Sequence, residues 1–142
     1  MRPELEQQLA ERYPKIFSKI AYLGCDDGWF NLIDVLCSSI QNHIDAREAS
    51  IKRTIQYNEK NQLNSDYIAR DIPDPISQVV ADQIKEKFGE LRFYYSGGDE
   101  EVAGMVTLAC NLSERTCELC GKPGALRTNR SWIKTLCDEH AA

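Results

Sequence analysis

Four residues near the C-terminal end constrain the fold more than any other feature of the sequence. Cys117 and Cys120 form a C-x2-C pair, and after sixteen intervening residues Cys137 and His140 form a C-x2-H pair. A C-x2-C pair places two thiolates on one tight turn, and Gly121 lets the chain reverse after it. The spacer can form a short hairpin that returns the second pair to the first. The spacing predicts a structural Zn²⁺ site, since four protein ligands leave no open coordination position.

The rest of the composition supports a metal rather than disulfide bonds. The chain has 142 residues and six cysteines, and its first residues, 1–4, are polar and acidic rather than basic and then apolar. This start predicts no secretory signal and hence a cytoplasmic location, where thiols stay reduced. A redox dithiol at Cys117 and Cys120 is the alternative, but no thioredoxin-like strand and helix precede it. No apolar run approaches the ~20 residues of a membrane span, so no membrane partner is expected.

Hydrophobic periodicity predicts about four helices. Apolar residues at three- and four-residue steps place them at residues 4–13, about 29–58, 75–88 and 99–115. Pro14 predicts a break and a second short turn that carries Ile16, Phe17 and Ile20. Pro75 suits a first helical turn, Gly89 a helix end and Asp99 an N-cap.

One strand is predicted outside the cysteine-rich tail, at residues 91–95. An isolated strand cannot satisfy its backbone, so it must pair with a hairpin formed by residues 125–128 and 132–136 or with another copy of the chain. Pairing with the hairpin is the expected case, because it would merge the zinc segment into the main core. The predicted fold class is therefore α+β, with a mainly helical core and one central strand that pairs with the zinc hairpin. Residues 1–115 would form the helical domain, and residues 116–142 a zinc-ribbon or treble-clef-like tail packed on the same core.

Several short motifs resemble a family of small uncharacterised proteins found in phages, prophages and bacterial genomes. The resemblance covers residues 28–142, except for a weak match at 45–72. The motifs that carry it are Gly28-Trp29-Phe30 with Leu32-Ile33, Val79-Val80 through Lys85–Gly89, Leu91–Tyr95, Gly97-Gly98-Asp99, Cys117–Gly121 and Thr135–His140. The resemblance implies a mobile-element setting, with the host cytoplasm as the location, and a zinc-bearing tail. It implies no catalytic residues.

The segment from residue 85 to residue 98 is the candidate ligand site. Strand alternation sends Leu91, Phe93 and Tyr95 to one face and Arg92 and Tyr94 to the other, where a guanidinium and a phenol suit a phosphate and a flat base. The helix predicted before the strand would end in two lysines, and a glycine turn would offer backbone donors to an anion. The predicted ligand-binding residues are Lys85, Lys87, Arg92, Tyr94, Gly97 and Gly98. The alternative is that the lysines complement a helix dipole, Arg92 pairs with a surface carboxylate and the glycines only form a turn.

Three classes of function remain after the charge and motif content are considered. A formal net charge of −5 argues against a protein that coats nucleic acid, and no catalytic motif points to an enzyme. The first expectation is a non-catalytic protein that sequesters a small phosphorylated ligand, such as a nucleotide immune signal. The second is an inhibitor or adaptor of a host protein, and the third is a single-strand binder acting through Arg127, Arg130, Trp132 and Lys134. A homodimer is expected because the long helix outruns the core and the strand has an unpaired edge.

Overall fold

The computed structural model describes residues 1–19 and 22–142. Within them lie four α-helices and two antiparallel sheets of two strands each. In chain order the elements are α1 (Pro3–Arg12), α2 (Phe30–Asn61), β1 (Val80–Lys87), β2 (Glu90–Ser96), α3 (Glu100–Ser113), β3 (Ala125–Arg127), β4 (Lys134–Leu136) and α4 (Asp138–Ala141). A 3₁₀ turn, Asp27–Trp29, leads into α2. No helix in these ranges is both long and apolar enough to cross a membrane.

The core lies between the first half of α2, helix α3 and the inner face of the β1–β2 hairpin. Trp29, Ile33 and Ile40 are fully buried there, together with Leu91 of β2 and Val102 of α3. The helices occur where the apolar periodicity predicts them, at α1, α2 and α3. Asp99 caps α3, because its Oδ1 accepts a hydrogen bond from the Val102 N–H at 3.1 Å.

The turn predicted after Pro14 is present, and it buries two of the three residues assigned to it. Ile16 and Phe17 belong to the core, and the Phe17 N–H donates to the Tyr13 carbonyl at 3.0 Å. Ile20 lies outside the described residues.

The helix predicted at residues 75–88 is wrong, since β1 occupies this part of the chain. Strand β1 is irregular between Ala81 and Gln83, so that Asp82 is an extra residue opposite β2. Such a bulge shifts the alternation of faces by one residue. The buried residues Val79, Ala81 and Ile84 therefore combine a two-residue and a three-residue step, and in the sequence this spacing imitates a helix.

The prediction that a single strand pairs with the zinc hairpin is also wrong. Strand β2 pairs only with β1, through the turn Phe88-Gly89, in which both residues have positive φ. The outer edge of β2 faces α3, where the Leu91 N–H donates to Ser113 Oγ at 2.8 Å. The outer edge of β1 meets the chain before α2, since the Gly24 N–H donates to the Ile84 carbonyl at 2.9 Å. The expected unpaired edge is thus covered within the chain.

Residues 45–74, called the arm here, extend α2 away from the core and return beside it. None of these residues is buried. Polar contacts hold the returning chain to the helix: Arg47 donates to the Asp74 carbonyl at 2.7 Å, and the Asn58 side chain both donates to and accepts from the backbone of Arg70. The arm therefore keeps its shape without an apolar core of its own.

Residues 116–142, called the tail here, pack on the rest of the chain through backbone hydrogen bonds. The Gly28 N–H donates to the Glu118 carbonyl at 2.7 Å, and the Trp29 indole N–H donates to the Thr116 carbonyl at 2.9 Å. Thr135 Oγ1 donates to the Gly89 carbonyl at 2.7 Å. The small buried cluster of the tail consists of Cys117, Leu136 and Cys137.

Candidate metal centre

The first cysteine pair lies on a turn that the backbone closes tightly. The Gly121 N–H donates to the Cys117 carbonyl at 2.8 Å, and the Cys117 N–H donates to the Lys122 carbonyl at 2.8 Å. Gly121 has a φ of 76°, a left-handed conformation that favours glycine. The turn therefore directs the side chains of Cys117 and Cys120 toward one point.

The second pair lies where β4 passes into α4. Strands β3 and β4 pair with Ala125 opposite Leu136, and this hairpin returns the chain to the first pair. Cys137 is the N-cap residue of α4, and His140 lies within its first turn, where its N–H donates to the Cys137 carbonyl at 3.2 Å. The predicted hairpin at residues 125–128 and 132–136 is confirmed, with shorter strands.

The four side chains lie close enough together to hold a metal ion. All four ligand atoms are within 4.8 Å of one another. Nδ1 of His140 is 3.4 Å from Cys117 Sγ and 3.3 Å from Cys137 Sγ, and the sulfurs of Cys120 and Cys137 are 3.8 Å apart. Zinc bonds of ~2.3 Å to sulfur and ~2.0 Å to nitrogen, arranged as a tetrahedron, require S···S distances near ~3.8 Å and S···N distances near ~3.5 Å. The three spacings given fit that geometry, and the other pairs of ligand atoms lie within 4.8 Å of each other.

The electrostatic environment of Cys117 favours the thiolate that a metal ion needs. Burial disfavours the charged sulfur, but the backbone N–H groups of Cys137 and Cys120 and the side chain of His140 outweigh it. Together they lower the pKa of Cys117 to about 6. The neighbouring charges are mostly paired, as in the contact of Lys122 Nζ with Glu139 at 2.9 Å.

A buried ion pair between Glu118 and Lys134 joins the metal turn to β4, and both residues also contact Asp26 in the loop before α2. Glu118 is almost fully buried, and its Oε1 accepts the Asp26 N–H at 3.1 Å. Its Oε2 lies 3.1 Å from Lys134 Nζ, the sole partner of that oxygen among the described residues, and Lys134 also contacts Asp26 Oδ2 at 3.0 Å. Burial raises the pKa of Glu118, and Lys134 opposes this effect. Sequence reasoning missed this contact because its partners are far apart in the chain.

The predicted ligand residues of the β1–β2 hairpin share one exposed face. Lys85 lies directly opposite Arg92 in the register, and Lys85 Nζ is 5.8 Å from the centre of the Tyr94 ring. Arg92 is paired with Glu90 at 2.9 Å. The predicted alternation of β2 is confirmed, since Leu91 and Phe93 are buried whereas Tyr94 is exposed. The two lysines, however, are on a strand and not at the end of a helix.

Gly97 and Gly98 lie apart from these cations. They follow Tyr94 by three and four residues, which is ~10 Å or more along an extended chain. The Gly98 N–H already donates to the Ser77 carbonyl at 2.9 Å. Both glycines have positive φ and form the turn into α3, and a Cβ at Gly97 would overlap the Gln78 carbonyl.

A cleft of about 480 Å³ opens beside Lys85, along the edge of β1 that faces Gly24, and sequence reasoning did not find it. Its walls include Lys19, Tyr22 and Gly24 together with residues 82–86 of β1. Gly24 forms a parallel bridge with Lys85, and a Cβ on Gly24 would lie 3.1 Å from the Lys85 Cβ. Glycine at this position therefore lets the chain lie close against β1 at the wall of the cleft. No local signal marks Gly24, because its partner is sixty residues away in the sequence.

His43, the imidazole outside the metal group, contacts carboxylates at the start of α3. Its Nε2 is 2.9 Å from Asp99 Oδ2, and its Nδ1 is 3.4 Å from Glu101 Oε2. The hydrogen bond from His43 and the Val102 N–H lower the pKa of Asp99. His43 thus joins α2 to the start of α3, and it belongs neither to the metal group nor to the lining of the cleft.

Comparison of the chain with protein-family models, curated proteins and solved structures finds no match in any of the three.

Proposed function

We propose that Cys117, Cys120, Cys137 and His140 hold a structural Zn²⁺ ion. Three thiolates and one imidazole are the donor set that tetrahedral zinc prefers, and the interatomic distances fit its bond lengths. All four positions are filled by protein atoms, so the ion would shape the tail rather than activate water. With three thiolates the centre would carry a charge of about −1.

Metal analysis of the purified chain tests this proposal. Native mass spectrometry should find one zinc ion per chain, and Cys120→Ser should lose it because a ligand is removed. The matched control is Cys110→Ser, a cysteine outside the group, which should keep one ion. A folded, metal-free wild-type preparation would contradict the proposal.

We further propose that the protein is a non-catalytic binder of a small phosphorylated ligand at the cleft beside β1. The observation that carries this proposal is the position of Lys85, which lines the cleft and lies near the Tyr94 ring. Among the described residues, neither Lys85 nor Lys19 has a carboxylate within 4.0 Å. Each ammonium is therefore available to a phosphate.

The volume and the lining of the cleft suit a nucleotide. Its volume is within the range of ~300–1,000 Å³ that small-molecule sites occupy. Tyr22 and Tyr94 are exposed aromatic side chains on which a base could stack. Asp82 and Glu86 also border the cleft, so the negative charge of the ligand must face the lysines and its base the tyrosines.

The absence of catalysis is part of the proposal. His140 belongs to the metal group and His43 is held by Asp99, so neither imidazole faces the cleft residues. A nucleophile and a positioned base are the usual signature of covalent catalysis. A tight complex that releases its ligand unchanged is the expected outcome.

The biological role that we propose follows from the resemblance to phage proteins. A phage-encoded protein of this kind would act in the host cytoplasm and sequester a nucleotide immune signal. The ligand would then be a cyclic or linear oligonucleotide messenger rather than a common mononucleotide, because sequestration of abundant nucleotides would leave the protein saturated.

Calorimetry with a panel of cyclic and linear nucleotides tests ligand binding. The zinc-loaded chain should bind at least one of them, and Lys85→Gln and Tyr22→Ala should weaken binding ~10-fold or more. Lys60→Gln, an exposed lysine on α2, is the matched control. Chromatography of the recovered ligand should show no turnover. Absence of heat from the whole panel, or steady product formation, would contradict the proposal.

A protein partner is the second candidate, and the arm favours it. Leu63 is 95% exposed, and Ile68 and Ile72, farther along the returning chain, are also exposed. Several exposed apolar residues on one projecting segment are typical of an interaction surface. An inhibitor or adaptor of a host protein would use this segment, and affinity capture with wild type and Leu63→Asp should differ in the bound protein. Equal capture would contradict this second proposal.

One structural observation still supports the expected homodimer. The strand edges are covered within the chain, but α2 continues beyond the core into the arm. Native mass spectrometry of the zinc-loaded chain should find two chains per particle if the arm pairs with its copy. A monomer at micromolar concentration would remove the proposal.

A further inference from the structure

Phe88 occupies a position that is unfavourable for a bulky residue. It is the first residue of the turn between β1 and β2, with a φ of 56°, and its side chain is 61% exposed. Such turns favour asparagine or glycine, because the left-handed region brings a Cβ close to the backbone. Phe88 gains little from burial in return. A strained and exposed aromatic residue indicates a role other than stabilising the folded structure.

Trp132 presents a second exposed aromatic ring beside the same turn. It is 63% exposed, and its indole N–H donates to Glu86 Oε2 at 3.1 Å. The other oxygen of this carboxylate accepts the N–H of Gly89, the residue after Phe88, at 2.7 Å. One carboxylate therefore holds both the exposed indole and the turn that carries Phe88.

The two hairpins are fixed to each other at this point. The buried hydroxyl of Thr135 donates to the Gly89 carbonyl at 2.7 Å, and a Cβ on Gly89 would overlap the Leu126 side chain. Phe88 and Trp132, called the aromatic platform here, are exposed aromatic side chains at a junction held by these hydrogen bonds, and the exposed Leu126 lies next to Gly89. A ligand that binds the platform does not have to order the protein first.

Positive charge lies beside the aromatic platform. Lys87 Nζ is 5.5 Å from the centre of the Phe88 ring. Arg130 precedes Trp132 by two residues in the loop between β3 and β4, and its Nη1 is directed to the His140 carbonyl at 3.2 Å. Within residues 1–19 and 22–142, neither cation has a carboxylate within 4.0 Å, and Arg130 donates only to the His140 carbonyl. By contrast, Arg127 and Lys134 are paired with carboxylates.

We infer that the aromatic platform binds two neighbouring nucleotides of a single-stranded nucleic acid. Two bases would stack on Phe88 and Trp132, and the phosphates would contact Lys87 and Arg130. Base faces are accessible only in a single strand, so a duplex would not bind in this way. The site adjoins the proposed nucleotide cleft, since Glu86 borders both, but its two rings and its two cations lie outside the cleft lining. The whole chain carries a net charge of −5, whereas at this site the two cations Lys87 and Arg130 outnumber the single Glu86 carboxylate.

Tryptophan fluorescence of the zinc-loaded chain tests the inference with the oligonucleotide dT12. The chain has two tryptophans, and Trp29 is fully buried, so a base stacked on Trp132 should quench only the exposed fraction of the signal. Two phosphate contacts predict a slope of about −1.4 in a plot of log affinity against log salt concentration. A duplex of the same length should give no quenching. No binding of dT12 at low salt would overturn the inference and leave the platform to a protein partner.

Substitutions of Phe88 separate binding from folding. Phe88→Asn should raise the melting temperature, because asparagine tolerates this φ, and should weaken dT12 binding ~10-fold or more. A purely structural Phe88 could not produce both changes. Trp132→Ala should weaken binding to a similar extent, measured by anisotropy of labelled dT12. Leu63→Ala is the exposed control, and Lys85→Gln should change dT12 affinity less than twofold even if it abolishes nucleotide binding. Unchanged affinity in Phe88→Asn and Trp132→Ala would overturn the inference.

Discussion

The two β-hairpins of this protein have the same antiparallel pairing but different sources of stability. The β1–β2 hairpin has strands of eight and seven residues and buries Ile84, Leu91 and Phe93 in the main core. The β3–β4 hairpin has strands of three residues each, and its buried cluster contains one leucine and two metal-group cysteines. Apolar burial stabilises the first hairpin, whereas the second has almost no apolar core and would depend on the metal ion that we propose.

The difference concerns how a short segment with almost no apolar core can be held in a folded conformation. A few apolar residues cannot offset the conformational entropy of ordering some twenty-five others, so small units depend on metals or disulfides. The same perturbation should therefore affect the two hairpins unequally.

Removal of a metal ligand should have the largest effect. Cys137→Ser is expected to unfold the tail while α2, α3 and the β1–β2 hairpin stay folded, because structural zinc sites contribute ~10–16 kcal/mol to folding. Two-dimensional amide NMR would show collapsed signals for residues 116–142 only. Cys110→Ser is the control and should leave the spectrum dispersed. A tail that stays ordered without metal would show that the two hairpins do not differ in this respect.

Truncation of a core residue should have the second largest effect, and it should weaken the main core while zinc binding is kept. Leu91 is fully buried in β2, so Leu91→Ala should lower the free energy of unfolding by about 2–5 kcal/mol in urea titrations. The folded variant should still bind one zinc ion. Leu63→Ala, at an exposed position, should change the free energy by less than ~0.5 kcal/mol. Loss of zinc from folded Leu91→Ala would mean that the core supports the metal site directly.

Disruption of the contact between the two regions should have an intermediate effect. Lys134→Met removes the contact of Lys134 with Asp26 in the body and leaves the buried Oε2 of Glu118 without its partner, at an expected cost of about 1–3 kcal/mol. Thermal melts of the zinc-loaded variant would measure it, with the exposed Lys60→Met as control. An unchanged melting temperature would indicate that this ion pair does not help to fix the tail on the body.

The helix cap of α3 should give the smallest effect and a specific pH dependence. Asp99→Ala should cost about 1 kcal/mol, because the Val102 N–H loses its acceptor. The pKa of Asp99 is lowered in the folded state, so its stabilising effect is present above the ordinary pKa of ~4 and is lost as pH falls through the lowered value. His43 and Arg47 contribute to this lowering. The difference in melting temperature between wild type and Asp99→Ala should shrink as pH falls from 6 to 2.5, and a constant difference would contradict this interpretation.

The sequence predicts those features whose signal is local. Helices α1, α2 and α3, the Asp99 cap and the four metal-group residues all follow from spacing over fewer than about twenty-five residues. Strand β1 was missed because the bulge at Asp82 imitates helical spacing and because Phe88-Gly89 is an unusual turn pair. The buried position of Glu118 and the open cleft at Gly24 depend on partners distant in the chain, and no local pattern records them.

Gly28 has a consequence for how the protein would behave when metal is scarce. Its N–H donates to the Glu118 carbonyl, and a Cβ at this position would overlap the carbonyl of Cys117. The metal turn of the tail thus contacts the backbone of the body directly at Gly28, and the shape of this turn would depend on the ion that we propose it holds. In a zinc-starved cell we expect a folded body with one open flank, and proteolytic trimming on that flank would couple the lifetime of the protein to metal supply.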